Sequence, residues 1–122
     1  MTQTKQPYYI WTVGDKALKL RLTNKNIIDL EKEYEGNLFK LLNDIPPLHV
    51  MLNIITKASE RFNHGETKDS ISEFYEEYVD NGGSQLELFT VVIMGVFGVS
   101  GFFSEKMKTE MSSKLQEVAE TI

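Results

Sequence analysis

The 122-residue chain contains no cysteine, and this absence excludes several kinds of site at once. Without thiols it can form neither disulfide bonds nor thiolate zinc sites, and it needs no oxidising compartment in order to fold. We therefore expect it in the cytoplasm. Histidine is also scarce, since the sequence holds only His49 and His64, and neither has a partner at metal-ligand spacing. We expect no metal ion and no other cofactor.

The sequence also has few basic residues. The chain has 13 Lys and Arg against 18 Asp and Glu, a net charge of −5, and no basic stretch long enough to follow a phosphate backbone. We expect no nucleic-acid partner. Long hydrophobic runs are missing too, because the most apolar stretch, residues 86–103, is interrupted by Glu87 and several glycines. No membrane partner is predicted.

Nothing in the sequence assembles a catalytic site. Carboxylates are grouped at residues 31–35 and 73–77, but charges beside an apolar helical stripe are ordinarily a solvated face. No nucleophile, base and orienting group occur together in a known motif. The prediction is therefore that the protein is not an enzyme.

The N-terminal part of the chain has the pattern of a β-hairpin followed by a helix. Aromatic and β-branched residues fill positions 8–13, and Gly14 and Asp15 supply a turn. Leu18, Leu20 and Leu22 then alternate with charged residues, the period of a strand with one buried face. Thr23 is predicted to cap the first helix, because its hydroxyl can accept an N–H of the first turn.

The remaining pattern predicts helices. A Pro-led helix follows residue 47, an acidic amphipathic helix covers residues 71–79, and residues 86–99 form a helix that is apolar on most sides. The expected fold is mainly α, with an N-terminal β-hairpin packed on a small bundle of about four to five helices. Residues 1–6 are expected to be frayed, residues 7–103 to form a single globular domain, and residues 104–122 to be an amphipathic C-terminal helix or tail.

Three features favour a protein partner. Trp11 lies among neighbouring tyrosines, and amphipathic aromatic side chains anchor interfaces, although a hairpin covering the core would use them equally well. Val91 and Met94 add apolar surface to the second face of the helix at residues 86–99, and such a helix is either central in the core or partly buried by a partner. The C-terminal segment carries an apolar stripe that could bind a partner or pack on its own core. The stripe is Met107, Met111, Leu115 and Val118.

The order of these elements resembles a known family. The segments are LKLRLT, IIDLEKEYEGNLFKLL, PLHVMLNIITKASERFNHG and GGSQLELFTVVIMGVFGVSGFF, which lie within residues 8–103. In this order and spacing they resemble the tail assembly chaperones of long-tailed (siphophage-type) bacteriophages and prophages. None of the segments is a catalytic signature, so the resemblance comes from order and spacing together.

This resemblance implies a function in tail assembly. Such a chaperone binds the tape measure protein and keeps it soluble while the tail tube assembles around it. A longer form, made by a translational frameshift, would recruit the tail tube protein, and residues 104–122 would end the short form. The resemblance also implies a protein that acts in the cytoplasm of the bacterial host and is absent from the mature virion. A homo-oligomer is expected because the hairpin edge and the last helix are both available for pairing. The alternative is a head–tail connector or tail completion protein that stays in the virion.

Overall fold

The structure, a computed structural model, describes residues 8–35, 38–63 and 65–102. It confirms the predicted fold class, because a two-stranded antiparallel hairpin packs on a small group of helices. The predicted N-terminal and C-terminal segments, residues 1–6 and 104–122, lie outside the described residues. The elements are β1 (Tyr9–Val13), β2 (Lys16–Leu20), α1 (Asn24–Glu33), the single turn α2 (Leu38–Leu41), α3 (Leu48–Ser59), α4 (Lys68–Asp80) and α5 (Gln85–Val99).

The hairpin turns at Gly14, whose φ of 60° is the left-handed conformation that glycine adopts without strain. The register pairs Trp11 with Leu18 and Val13 with Lys16. Burial follows the predicted period of two, since Trp11 and Leu18 are buried while their neighbours in each strand are exposed. One face of the hairpin therefore lies on the helices and the other faces solvent.

Side-chain caps fix where the helices begin. Thr23 caps α1 as predicted, because its hydroxyl accepts the Asn26 N–H while the Asn26 side chain accepts the Thr23 N–H. Thr67 and Ser70 form the same reciprocal pair at the start of α4. Each pair satisfies two backbone N–H groups that would otherwise lack partners.

The core joins all the larger elements into one cluster of buried side chains. α3 contributes the most central residues, with Met51, Ile54 and Ile55 fully buried. α4 and α5 are bent by 119° at the break between them. Among the described residues, no single helix is long and apolar enough to cross a membrane, and α4 and α5 meet that criterion only as a bent pair, by length and composition.

Candidate partner-binding surface

The middle of α5 is a π-helix. Residues Leu88–Ile93 form this wider stretch between an α-helical start and the α-helical end Met94–Val99, and the Met94 N–H donates to the Phe89 carbonyl, five residues earlier. Such stretches are rare and often occur at functional sites. The side chains that α5 buries come in adjacent pairs. They are Leu88, Phe89, Val92, Ile93, Val96 and Phe97.

Two of the predicted partner-binding residues lie on the outward side of this helix. Val91 belongs to the π-helical stretch and is 48% exposed, although its neighbour Val92 is buried. Met94 is half-buried, and like Val91 it stands outside the buried pairs, so both residues flank the side of α5 that faces away from the core. Glu87, one turn before Val91, is exposed and gives this side a charged edge.

Tyr9 of the hairpin borders the same side of α5. A Cβ on Gly95 would lie 2.6 Å from both Cδ1 and Cε1 of the Tyr9 ring, so the glycine allows the ring to approach the helix backbone. Burial, and then the nearby Glu87 carboxylate, raise the pKa of Tyr9 above its ordinary value, which keeps its hydroxyl neutral. We call Tyr9, Glu87, Val91 and Met94 the outer α5 surface.

Trp11 does not belong to this surface, and here the structure corrects the sequence prediction. Its side chain is 2% exposed and packs edge-on against Phe74 and Tyr78, with ring centroids 4.6 Å and 5.4 Å away. A side chain without exposed area has nothing to offer a partner. The alternative from the sequence, a hairpin that covers the core, describes Trp11 correctly.

The C-terminal stripe cannot be placed in the same way. Met107, Met111, Leu115 and Val118 lie outside the described residues, so their role in binding a partner stays a prediction.

A shallow groove separates β2 from α4. It has a volume of about 420 Å³, and Glu66, Glu73 and Glu77 lie along it. Lys16 also lines the groove, with its Nζ 3.3 Å from the Glu77 carboxylate. Within the part of the chain that the structure describes, no group of three or more acidic or histidine side chains could hold a metal ion.

The sequence missed Ile10 as a surface residue. It is 47% exposed because it points away from the core, opposite to Trp11. Alternation along β1 places its side chains on two opposite faces, but the composition of the strand does not show which face is buried. One face carries Tyr9, Trp11 and Val13, and the other carries Ile10 and Thr12. Trp11 lies on the buried face because its aromatic ring buries more apolar area than the Ile10 side chain would.

Comparison with known proteins places the chain in a family. No curated protein sequence matches it, and no solved structure does. A protein-family model described as a family of unknown function, DUF6096, matches residues 4–121. The match extends over nearly the whole sequence, from before the hairpin to beyond α5. The chain therefore belongs to the DUF6096 family.

Proposed function

We propose that this protein is a tail assembly chaperone that binds the tape measure protein and keeps it soluble during tail tube assembly. The order of the sequence segments suggests the function, and the outer α5 surface suggests where the partner binds. The observation that carries the assignment is Val91, an apolar side chain left nearly half exposed on a helix whose other apolar residues are buried or partly buried.

The chemistry of this surface suits a helical partner. A tape measure protein is, by the resemblance, a long helical rod, and an amphipathic helix docks through apolar residues spaced three or four apart. Val91 and Met94 have that spacing, while Glu87 and the Tyr9 hydroxyl supply polar groups at the edge. An apolar centre with a polar rim is the usual anatomy of a protein interface.

The expected affinity of one such contact is modest. Covering the exposed half of a valine side chain contributes roughly 1 kcal/mol, about a fivefold change in Kd. A weak contact can still hold a long rod in solution if several copies bind along it, because the contacts act together. We propose that several copies coat the tape measure protein in this way.

The other parts of the proposal follow from the same resemblance. The protein acts in the cytoplasm of the bacterial host and is absent from the finished virion. A longer frameshifted form, if the gene produces one, recruits the tail tube protein. No nucleic acid, membrane or cofactor takes part, and no reaction is catalysed.

A co-expression experiment tests the function. The protein is tagged and produced together with the long open reading frame expected just downstream, and the soluble fraction is purified on the tag. We expect the long protein to be insoluble alone and soluble in a complex with its chaperone. If the long protein is soluble unaided and nothing co-purifies, the chaperone assignment is wrong.

A pair of matched variants tests the surface. Val91→Gln combined with Met94→Gln should reduce the recovered complex, because each glutamine removes apolar contact and an unpaired amide in the interface costs about 1–3 kcal/mol more. Ile28→Gln is the control, since Ile28 is 49% exposed on α1 and lies outside the proposed surface. Circular dichroism should show the native fold in both proteins. Equal recovery from both would refute the assignment of the surface.

Mass spectrometry of purified particles separates the chaperone from its alternative. A head–tail connector or tail completion protein would be found in the virion in a fixed ratio to the other tail proteins. We expect this chain to be absent from it.

A further inference from the structure

The two outer edges of the hairpin differ. The edge of β2 is closed by the end of α3, because the Asn63 side chain accepts from the Lys19 N–H (3.4 Å) and donates to the Lys19 carbonyl (2.6 Å). Just beyond the strand, the Arg21 N–H donates to the Ala58 carbonyl at 3.0 Å. Asn63 and Ala58 therefore block the pairing of a further strand at Lys19 and just beyond it.

The register identifies the backbone groups on the opposite edge. Ile10 lies across from Lys19, and Thr12 lies across from Ala17. Since the Lys19 backbone bonds outward to Asn63, Ile10 and Lys19 form a non-hydrogen-bonded pair, and Ile10 must point its own N–H and C=O away from β2. The alternation of an antiparallel ladder gives Thr12 the same orientation. Within the described residues, no hydrogen bond satisfies these groups of Ile10 or Thr12.

β1 also lacks the features that normally protect an edge strand. Proteins block such edges with charged residues, prolines or bulges. β1 reads YIWTV, with no charge and no proline, and its five residues pair with β2 without a bulge. Ile10 and Thr12 are both exposed, so the solvent face beside this edge is open.

We propose that a second copy of this chain pairs with the open edge of β1, so that two hairpins form one four-stranded antiparallel sheet. With Trp11 opposite its symmetry mate, Ile10 lies across from Thr12 of the other copy, and both are outward-facing positions. This register lets the two copies exchange about four N–H···O=C bonds around a two-fold axis. It also places β-branched side chains opposite each other, a favourable cross-strand pair.

Charge is consistent with a second copy as the occupant. The two strands that would meet at the axis are uncharged, so the symmetry brings no like charges together. The nearest lysines on the solvent face are the two copies of Lys19, on the outer strands. Three strand spacings separate those strands by roughly 14 Å, which exceeds the screening length of about 8 Å in physiological salt. This pairing is independent of the proposed function, since it uses the edge of β1 and not the outer α5 surface.

Sedimentation of the full chain over a concentration series, combined with amide hydrogen exchange, tests the pairing. We expect a monomer–dimer equilibrium in which the Ile10 and Thr12 amides become protected as the dimer forms. The Tyr9, Trp11 and Val13 amides should be protected at every concentration, because they pair within the hairpin.

Three variants make the test specific. Ile10→Lys places a charge at the two-fold interface, and Thr12→Pro removes an outward N–H, so each should weaken the dimer by about tenfold or more. Ala17→Lys is the matched control, because Ala17 is exposed on the same face but belongs to β2, the strand that does not meet the second copy. We expect it to change the dimer Kd by less than about threefold.

Three results would overturn the proposal. If the chain stays monomeric and the Ile10 and Thr12 amides exchange freely, the edge of β1 has no partner. If the chain stays monomeric and both amides are protected, another part of the same chain covers the edge. A dimer that Ile10→Lys and Thr12→Pro leave unchanged uses a different interface.

Discussion

Replacing Gly95 with alanine, alone and together with Tyr9→Ala, tests how closely the hairpin approaches α5. Gly95 lies in the α-helical end of α5, where alanine is normally preferred over glycine by about 1 kcal/mol. On helix propensity alone, Gly95→Ala should therefore stabilise the protein. The Tyr9 ring reverses this expectation, because it occupies the space where the new methyl group would go.

The distances set the size of the effect. The added Cβ would lie 2.6 Å from two ring carbons, while ordinary contacts begin at 3.4 Å, so the ring or the helix must move by roughly 0.8 Å. Overpacking of this kind costs about 1–3 kcal/mol. After subtracting the gain in propensity, we expect Gly95→Ala to lower the free energy of unfolding by about 1 kcal/mol. In a Tyr9→Ala background the same change should raise it by about 0.5–1 kcal/mol.

Urea unfolding of the four proteins in this double-mutant cycle measures the coupling free energy between Tyr9 and Gly95. It should reach about 1–3 kcal/mol, and the m-value should stay unchanged. Tyr9→Phe is the control, because it keeps the ring and removes only the hydroxyl. In that background Gly95→Ala should destabilise the protein as it does in the original chain. If Gly95→Ala stabilises both backgrounds equally, the ring does not rest on Gly95 and the reasoning fails.

Two further predictions concern buried polar groups. Burial, and then the nearby Glu87, raise the pKa of Tyr78 far above its ordinary value of 10.0. Because the unfolded chain loses this proton at a lower pH than the folded chain, the free energy of unfolding should fall as pH rises above 10. Urea unfolding at alkaline pH measures this fall, which should be less steep in Tyr78→Phe. Asn53 is 7% exposed and donates to the Glu33 carboxylate at 3.1 Å and to the Tyr34 hydroxyl at 2.9 Å. Asn53→Ala should lower the free energy of unfolding by about 1.5–3 kcal/mol in the same assay, and a loss below about 0.5 kcal/mol would contradict the account of these bonds.

Local signals in the sequence were sufficient for much of the fold. The alternating leucines of β2 and the cap at Thr23 depend on residues close together in the chain, and the structure confirms both. The end of α3 was harder to predict. The apolar spacing continues to Phe62, yet the helix ends at Ser59, and the Asn63 side chain beyond it donates both to the Ser59 carbonyl and to the carbonyl of the distant Lys19. A bond to a residue more than forty positions away leaves no local trace.

The outer α5 surface shows a second limit of prediction from the sequence. The sequence of α5 indicated a helix that is apolar on most sides, which left open the faces of Val91 and Met94. The buried pairs beginning at Leu88, Val92 and Val96 are spaced four residues apart. On an ideal α-helix a spacing of four drifts by about 40° at each repeat, so the six buried side chains would spread over about half of the circumference. The π-helical stretch changes this spacing locally, and no residue pattern in the sequence indicated it.

The π-helical stretch also changes how the length of α5 should be understood. If one residue between Phe89 and Val92 were removed, the same six side chains would fall at the positions of a regular amphipathic stripe, recurring at three, four and seven residues. The core could thus be packed by an ordinary helix one residue shorter. The extra residue adds nothing to the buried face, and its effect falls on the surface, where the bulging backbone presents Val91 to solvent. α5 is in this sense a core helix with an insertion, and the insertion exposes an apolar side chain that a regular helix would not need to expose.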